Sequence, residues 1–309
     1  MPGTTMAFAS YLEAFALGFT EVFKDTLKSH PRSYTAFLGE ETAEHFYDTD
    51  WSVSGLGAMP NKNIGASFST DRIIKGGQKQ FGMTPYGMAC IIEYEAMRWD
   101  LYSVFKGLPE ELARSMTDRY NIVGHSVLNN SFSAPSSTYQ IFASGVAENI
   151  LSTTHVRLDG GTWSNASTSN TGLSYLGIQE GMTNFATQVN QRGRYIMLDA
   201  KTLVVAPAQR WIADTIVGSQ YRPDNANQAL NTLKNGAKVY DSPYITSTTA
   251  WWLIADPKIP RIKMRLGDSP QIRKDNDVRN LNLVMTCYAS FDLQVYDSRG
   301  WFGSTGAGA

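Results

Sequence analysis

Three groups of residues in this sequence carry side chains that catalysis or metal binding would need. Gly124-His125-Ser126 sets a base beside a hydroxyl nucleophile. His155 and Asp159 are side chains that could ligate a metal. An acidic cluster that could hold a cation is formed by Glu40, Glu41, Glu44, His45 and Asp48.

Each group lacks a second feature that its chemistry requires. His125 falls inside a segment with helical periodicity, so we interpret it as a helix-face residue. His155 and Asp159 adjoin Gly160-Gly161 in a loop that supplies no second pair of ligands. We interpret the acidic cluster as a solvated face. Because phosphate-loop and nucleophile-elbow motifs are also absent, we predict no catalytic residue, cofactor or metal.

Composition limits the class of protein. The chain has 309 residues, of which 42% are hydrophobic, and a formal net charge of −1, which argues against bulk electrostatic binding to nucleic acid. Residues 258–279 are locally basic, but their apolar residues alternate as in a strand. We therefore favour a solvated or subunit-contacting strand face there, with a nucleic-acid patch as the alternative. No segment has the length and apolarity of a membrane span, and we expect an intracellular site of synthesis.

Hydrophobic periodicity predicts an α+β protein. Helices are predicted over residues 4–27, 109–131, 173–189, 207–217 and 225–235, with Gly218 just beyond the fourth. Strands are predicted over residues 203–205, 251–254, 261–266 and 281–295. Cys90 and Cys287 are the only cysteines, and Cys287 is predicted to be a buried free thiol on the apolar face of the last strand. The pairs Trp251-Trp252 and Trp301-Phe302 are predicted to lie in the core.

Residues 48–84 form a glycine-rich excursion that should fold as an antiparallel ribbon. Two arms of roughly 17 residues would reach about 55 Å at about 3.3 Å per residue. An isolated hairpin is marginally stable in water, so we predict that other copies of the chain supply a surface for it. Residues 1–50 are acidic and residues 61–80 are basic, which predicts either docking between copies or two independently solvated faces.

The order of these elements resembles that of a tailed-bacteriophage major capsid protein of the Hong Kong 97-type fold, most closely the phage Mu-like major head subunits. The likeness rests on Gly82-Met-Thr-Pro-Tyr-Gly, Leu151-Ser-Thr-Thr-His-Val-Arg-Leu-Asp-Gly-Gly with Asn165, Leu203-Val-Val-Ala-Pro, Tyr240-Asp-Ser-Pro-Tyr, Trp251-Trp-Leu-Ile-Ala-Asp-Pro and Asp297-Ser-Arg-Gly-Trp-Phe-Gly-Ser.

The resemblance implies five regions. They are an acidic, helical N-terminal arm (1–47), an extended β-ribbon loop (48–84), a peripheral domain containing the spine helix (85–198, spine 109–131), an axial domain (199–280), and a return strand with a C-terminal tail (281–309). The 173–189 helix is expected in the peripheral domain, and the loop 219–225 near the symmetry axes. We expect subunit contacts at Phe8, Leu12, Phe15, Phe19, Trp51, Lys62, Arg72, Lys75, Lys79, Tyr221 and Arg222.

The resemblance further implies a structural, non-enzymatic protein whose hexamers and pentamers form an icosahedral head around double-stranded DNA, without sequence-specific binding. Expected partners are a separate scaffolding protein, a portal and a decoration or cement protein, with assembly in the bacterial cytoplasm. The arm is too short to include a cleaved scaffolding region. Lys62, Lys75 and Lys79 lie where one lineage forms Lys–Asn crosslinks, but we do not expect the crosslink here. The alternatives are an encapsulin-like nanocompartment shell, a hydrolase using His155 and Asp159, and a tail or decoration protein.

Overall fold

The computed structural model describes residues 8–99, 107–133, 148–224, 229–256, 261–276, 280 and 282–307. Its helices are α1 (Phe8–Ser29), α2 (Tyr94–Arg98), α3 (Leu108–Asn129), α4 (Tyr175–Thr187) and α5 (Arg210–Gly218), with 3₁₀ turns at Ser33–Ala36 and Pro207–Gln209. Its strands are β1 (Gly39–Thr42), β2 (Tyr47–Val53), β3 (Lys75–Gly82), β4 (Thr84–Ile92), β5 (His155–Val156), β6 (Thr162–Trp163), β7 (Ala200–Val205), β8 (Lys238–Asp241), β9 (Trp251–Ala255), β10 (Arg261–Leu266), β11 (Gln271–Asn276), β12 (Leu283–Asp297) and β13 (Trp301–Ser304).

The alternating segment predicted over 281–295 forms one unbroken strand, β12, at the centre of a five-stranded sheet. β4 pairs along one edge of β12, and β10 and then β11 pair in succession along the other. Gly267 lies in the break between β10 and β11, where a Cβ would come within 2.4 Å of Ser290 Oγ. β1 adds to β10 in parallel, so the N-terminal part of the chain completes the sheet.

The spine helix α3 covers one face of this sheet. Its buried residues include Leu112, Met116 and Tyr120, which follow the predicted four-residue spacing. The ring of Tyr120 stacks on Phe291 of β12 with centroids 3.8 Å apart. Cys287 is also buried in this core, and burial raises the pKa of its thiol to about 11. The predictions of a spine helix and of a buried Cys287 are therefore confirmed.

A second sheet has the strand order β13-β9-β7-β8 and lies between two cores, so that β9 is buried on both faces. Along β9, Trp252 and Ile254 face the same core as α3, whereas Trp251, Leu253 and Ala255 face a core formed with α4 and α5. Burial on both faces explains why β9 is apolar without alternation. The tryptophans at 251, 252 and 301 lie in the core, as predicted.

Several elements pack on or belong to sheets that the implied regions did not anticipate. The 173–189 helix, expected in the peripheral domain with the spine, packs as α4 on the second sheet. Gly181 explains this, because a Cβ there would meet Leu253 and Phe302 at 2.5 and 2.8 Å, so glycine lets α4 approach the sheet closely. Conversely, β10 and β11 were expected in the axial domain but belong to the β12 sheet, and β13 of the return segment belongs to the second sheet.

The prediction of a helix over residues 225–235 is wrong for the part that the structure describes, because residues 229–235 are not helical. The side chain of Asn231 donates to the backbone oxygens of Ile216 and Ser219 and accepts from the backbone N–H of Leu233. Such side-chain bonds offer the backbone an alternative to helix. The 207–217 helix is confirmed in most of its length, but Gly218 is its last residue rather than the residue beyond it.

The ribbon is shorter than predicted. β2 and β3 pair antiparallel over seven and eight residues, instead of the roughly 17 expected, and residues 54–74 between them form no strand. Side chains bind the backbone groups that a ladder would use: Ser54 Oγ accepts from the N–H of Ile74, and Asp71 from that of Gly57. Among the described residues, no helix has both the length and the apolar character needed to cross a membrane.

Candidate intersubunit surfaces

The N-terminal arm packs on its own spine helix. Phe19 and Phe23 of α1 lie in the same core as Leu128 of α3. Phe19 is 4% exposed, so its expected role as a contact to a neighbouring subunit is corrected: it contacts the body of its own chain. The side chains of Phe8, Leu12 and Phe15 lie outside the described residues.

The acidic cluster is only partly solvated, in contrast to the prediction. Because β1 runs parallel to β10, its carboxylates meet the basic residues of that strand. Glu41 Oε2 lies 3.1 Å from Lys263 Nζ, and Asp48 Oδ2 of the neighbouring β2 lies 2.8 Å from Arg265 Nη1. Glu44 and His45 are exposed. Some of the acidic side chains that were expected to pair with basic residues of another copy thus pair within one chain.

Glu40, the remaining carboxylate of the cluster, anchors the 3₁₀ turn that follows α1. Its Oε1 accepts hydrogen bonds from Tyr34 Oη at 2.6 Å and from Arg32 Nη1 at 3.1 Å. Burial, together with the bond to Glu40, raises the pKa of Tyr34. The Arg32 guanidinium also lies over the Tyr120 ring, 4.2 Å from its centroid, so this turn is joined to the spine helix.

The base of the extended loop is a ribbon tied to the body. In the β2–β3 ladder, Asp50 is opposite Lys79, and Lys75 Nζ lies 3.2 Å from the centroid of the Trp51 ring. Burial lowers the pKa of Lys79 to about 8, against the attraction of Asp292 on β12. Lys79 is therefore half-buried at the joint between loop and body, whereas Trp51 and Lys75 remain on the outside.

The distal part of the loop, residues 58–70, is an apolar tip that stands away from the body. Met59, Ile64 and Phe68 are 95%, 106% and 81% exposed. Lys62 Nζ lies 4.4 Å from the centroid of the Phe68 ring, and Arg72, just beyond the tip, is exposed. Large apolar side chains gathered in one exposed segment are typical of a binding surface.

A second exposed apolar surface lies on α5 and the loop after it. Trp211 is 79% exposed and borders a groove of about 410 Å³ with Ile212, Tyr175 and Pro223. Of the expected contacts in this region, Tyr221 is exposed. Arg222 pairs with Asp224 at 2.7 Å and lies 4.1 Å from the centroid of the Tyr175 ring.

The sequence analysis missed Trp211, because it predicted the 207–217 helix without assigning its faces. The sequence did contain a signal: Trp211 and Ile212 precede the buried positions Ala213, Ile216 and Val217, so apolar residues lie on more than one face of this helix.

A third surface, also missed, lies between α3 and the outer strand β4. Met88 and Ile122 are exposed there, and both line a groove of about 610 Å³ with Arg114 and Arg119. The Arg119 guanidinium lies 4.7 Å from the centroid of the Tyr86 ring. Met88 and Ile91 were assigned no role because the strand β4 was not predicted.

The residues considered for chemistry all have structural partners. His125 is fully buried in α3, its Nδ1 is 2.7 Å from the backbone oxygen of Asn121, and burial lowers its pKa to about 4. His155 Nδ1 contacts Glu148 Oε2 at 2.6 Å and its Nε2 contacts Asn165 Oδ1 at 2.8 Å. Asp159 pairs with Arg157. Within the described ranges, no group of three or more His, Cys, Asp or Glu side chains could hold a metal.

Comparison with known proteins places the chain among capsid proteins. The family model for "Phage capsid protein" matches residues 83–303, whereas no curated protein matches the sequence significantly. The chain is similar to the capsid of cyanophage P-SCSP1u, with 8% identity, TM-score 0.56 and coverage of 86% of this chain and 85% of that one. It is likewise similar to the mature capsid of bacteriophage PhiM1, with 9% identity, TM-score 0.55 and coverage of 87% and 85%.

A further similar structure is a virus-like particle from Pyrococcus furiosus, with 8% identity, TM-score 0.52 and coverage of 93% of this chain and 97% of that one. At these identities the structural likenesses establish the shared fold.

Proposed function

Since this chain belongs to the phage capsid protein family, we propose that its copies join into a shell chiefly through the apolar tip of the extended loop. The chain is a major capsid shell protein with the Hong Kong 97-type fold, and its place is in the virion. We propose below which of its residues form the contacts between copies, and which partners the shell has.

The observation that carries the proposal is the contrast between the two ends of the loop. Its base is hydrogen-bonded as a ribbon and joined to the body, whereas Met59, Ile64 and Phe68 at the tip are almost fully exposed. Burying one such side chain yields about 1.5–3 kcal/mol. Three of them on each copy therefore provide a substantial drive for association, and contacts repeated around each subunit multiply it.

The test replaces the apolar tip without disturbing its base. The variant Met59→Ser/Ile64→Ser/Phe68→Ser should be soluble, keep the thermal unfolding of the wild type, and form no shells by electron microscopy. The matched control Asn61→Ala/Ser67→Ala/Ser69→Ala changes the same number of residues in the same segment and should assemble normally. Normal shells from the serine variant would refute the role of the tip.

We further propose that the α5 surface gathers subunits around the symmetry axes into hexamers and pentamers. Trp211 and its groove, with Tyr221 and Arg222 nearby, supply an apolar surface whose charges are already paired within the chain. This surface can therefore be buried without leaving an unpaired charge. Trp211→Ser should leave folded subunits that form fewer rings, as measured by analytical ultracentrifugation, and an unchanged ring population would contradict the assignment.

The finer points stay proposals supported by the sequence motifs. We place the chain in the phage Mu-like group, give it a purely structural role, and expect the head to enclose double-stranded DNA without sequence-specific binding. A separate scaffolding protein, a portal and a decoration protein are the expected partners, with assembly in the host cytoplasm. No Lys–Asn crosslink is expected from Lys62, Lys75 or Lys79, so denaturing gels of particles should show monomers.

The alternative is a shell that holds a protein cargo instead of a genome, as in encapsulin-like compartments. The likeness to the Pyrococcus furiosus virus-like particle extends over nearly the whole of both chains, and the fold that they share is common to this alternative and to the virion. Nuclease-protected DNA in purified particles would support the virion, and a stoichiometric protein cargo would support the compartment.

A further inference from the structure

The extended loop is held to the body of its own chain at a second point, well beyond the ribbon. Asp71, in the returning half of the loop, forms an ion pair with Nη2 of Arg192. The same carboxylate accepts the backbone N–H of Gly57 at 2.7 Å and that of Arg72 at 2.8 Å. One side chain thus joins the outgoing half of the loop, the returning half and the body.

The body's side of this contact is a rigid hairpin, residues 189–195. Asn190 Oδ1 accepts from the backbone N–H groups of Arg192 and Arg194 at 2.9 and 3.0 Å. Gly193 supplies the left-handed conformation of the turn, with φ at +73°. Arg192 therefore leaves the hairpin in a fixed direction, with its side chain only 17% exposed.

The hairpin is in turn anchored to the end of the central strand β12. Arg299 Nε donates to the backbone oxygen of Val189 at 2.6 Å, and its Nη1 holds both carboxylate oxygens of Asp297. A continuous chain of contacts thus runs from the loop through Asp71, Arg192 and the 189–195 hairpin to β12. The loop's direction relative to the sheet is thus fixed at the ribbon and at the 189–195 hairpin, where Arg194 Nη1 also lies 3.5 Å from the backbone oxygen of Leu56.

We propose that Asp71 and Arg192 form a releasable clasp that sets the angle at which the extended loop leaves the subunit. This inference rests on the shell function proposed above. With the clasp closed, residues 54–57 and 71–74 belong to the body and only the tip is free. With it open, the loop pivots at its ribbon base. Identical chains in a large shell meet neighbours at slightly different angles, and an ion pair whose carboxylate is 40% exposed is weak enough to open when the loop must change its angle.

Ionic strength rather than pH should determine whether the contact between Asp71 and Arg192 is closed or open. The hydrogen bond from Gly57, the Arg192 guanidinium and the bond from Arg72 together lower the pKa of Asp71 to about 2. The carboxylate therefore keeps its charge down through its ordinary pKa of 3.8 and loses it only as the pH falls towards 2. Salt screens an ion pair whose carboxylate is open to solvent, as that of Asp71 is, so rising ionic strength should open the clasp at neutral pH.

The test uses Arg192→Gln and Asp71→Asn, with Lys201→Gln as the control that removes one exposed positive charge of β7, outside the clasp. In unassembled subunits, rapid-mixing hydrogen exchange of segments 55–58 and 71–74 should be about two- to fivefold faster in the clasp variants, the range for an exposed ion pair. Exchange in α3 should not change. Arg192→Lys, which keeps the charge, should lie between the wild type and Arg192→Gln.

Particle geometry then tests what the clasp does. Clasp variants should give shells with a broader distribution of diameters, or open shells, whereas Lys201→Gln should match the wild type. Unchanged exchange, or faster exchange with unchanged diameters, would overturn the proposal. If even the wild type forms no shells, the proposed function fails, and the exchange measurement alone then decides whether the clasp exists.

Discussion

A methyl group added at Gly124 should measure how closely the N-terminal arm packs on the spine helix. Tyr34, which is fully buried, crosses α3 at this glycine. A Cβ at position 124 would lie 2.6 Å from both Cβ and Cγ of Tyr34. These atoms lie next to the Tyr34 backbone, and the hydroxyl at the far end of the ring is held by Glu40. The tyrosine therefore cannot swing aside without moving the turn that carries it.

Two opposing effects determine how much Gly124→Ala changes the free energy of unfolding. Forcing an extra carbon into a packed core costs about 1–3 kcal/mol, while replacing glycine by alanine inside a helix gains about 1 kcal/mol. Because the clash involves atoms close to the backbone, we expect the upper half of the first range and a net loss of about 1–2 kcal/mol. The matched control is Gly18→Ala in α1, where no described atom lies within 4 Å of the added Cβ. The control should gain about 0.5–1 kcal/mol from helix propensity alone.

Urea denaturation of unassembled subunits, followed by far-ultraviolet circular dichroism, measures both changes. The two glycine-to-alanine substitutions should move the midpoint in opposite directions with unchanged slopes. A Gly124→Ala subunit as stable as the wild type, or more stable, would show that the arm does not press on the spine helix at this point.

Three further predictions concern buried groups. Burial lowers the pKa of Lys79 to about 8 from an ordinary value of 10.5, so the unfolded chain binds more protons than the folded chain between these two pH values. The stability of the wild type should therefore rise relative to that of Lys79→Met from pH 8 to 10. A constant difference between the two urea midpoints would contradict this. Asn165→Leu should cost about 3–5 kcal/mol, since buried partners of the amide, including the oxygens of Ile150 and Ser298, lose their bonds; a loss below about 1 kcal/mol in the same assay would show that the amide bonds matter little. Cys287, whose pKa burial raises to about 11, should react with a thiol reagent at pH 8 only as fast as the subunit unfolds, and rapid labelling would show that its core opens locally.

Much of the fold could be read from hydrophobic spacing. The segment predicted as 173–189 is α4, Tyr175–Thr187, and the long strand predicted from 281 begins at Leu283. Both elements could be predicted because the spacing of the apolar residues indicates which face of an element is buried. The same spacing does not indicate which other element covers that face. For this reason α4 was identified correctly as a helix, whereas the sheet that it covers was not predicted.

The contacts missed from the sequence depend on pairings between distant segments. Glu41 meets Lys263 only because β1 lies parallel to β10, and nothing near either residue in the chain indicates that partner. The same holds for Asp71 and Arg192. The irregular course of residues 54–74 was missed for a local reason, since side chains of Ser54 and Asp71 bind backbone groups that alternation rules assign to a ladder.

The placement of β12 also affects when the molecule can become competent to assemble. Its partners β4, β10 and β11 all precede it in the chain, and β13, which completes the second sheet, follows it. During synthesis the first sheet cannot close until β12, which ends at Asp297, has left the ribosome, and the second cannot close until β13, which ends at Ser304, has followed it. Such distant pairings form slowly, so the surfaces of the folded body, unlike the loop tip, are absent from a growing chain. The order of the strands should therefore delay every contact that needs the body until nearly the whole chain has been made.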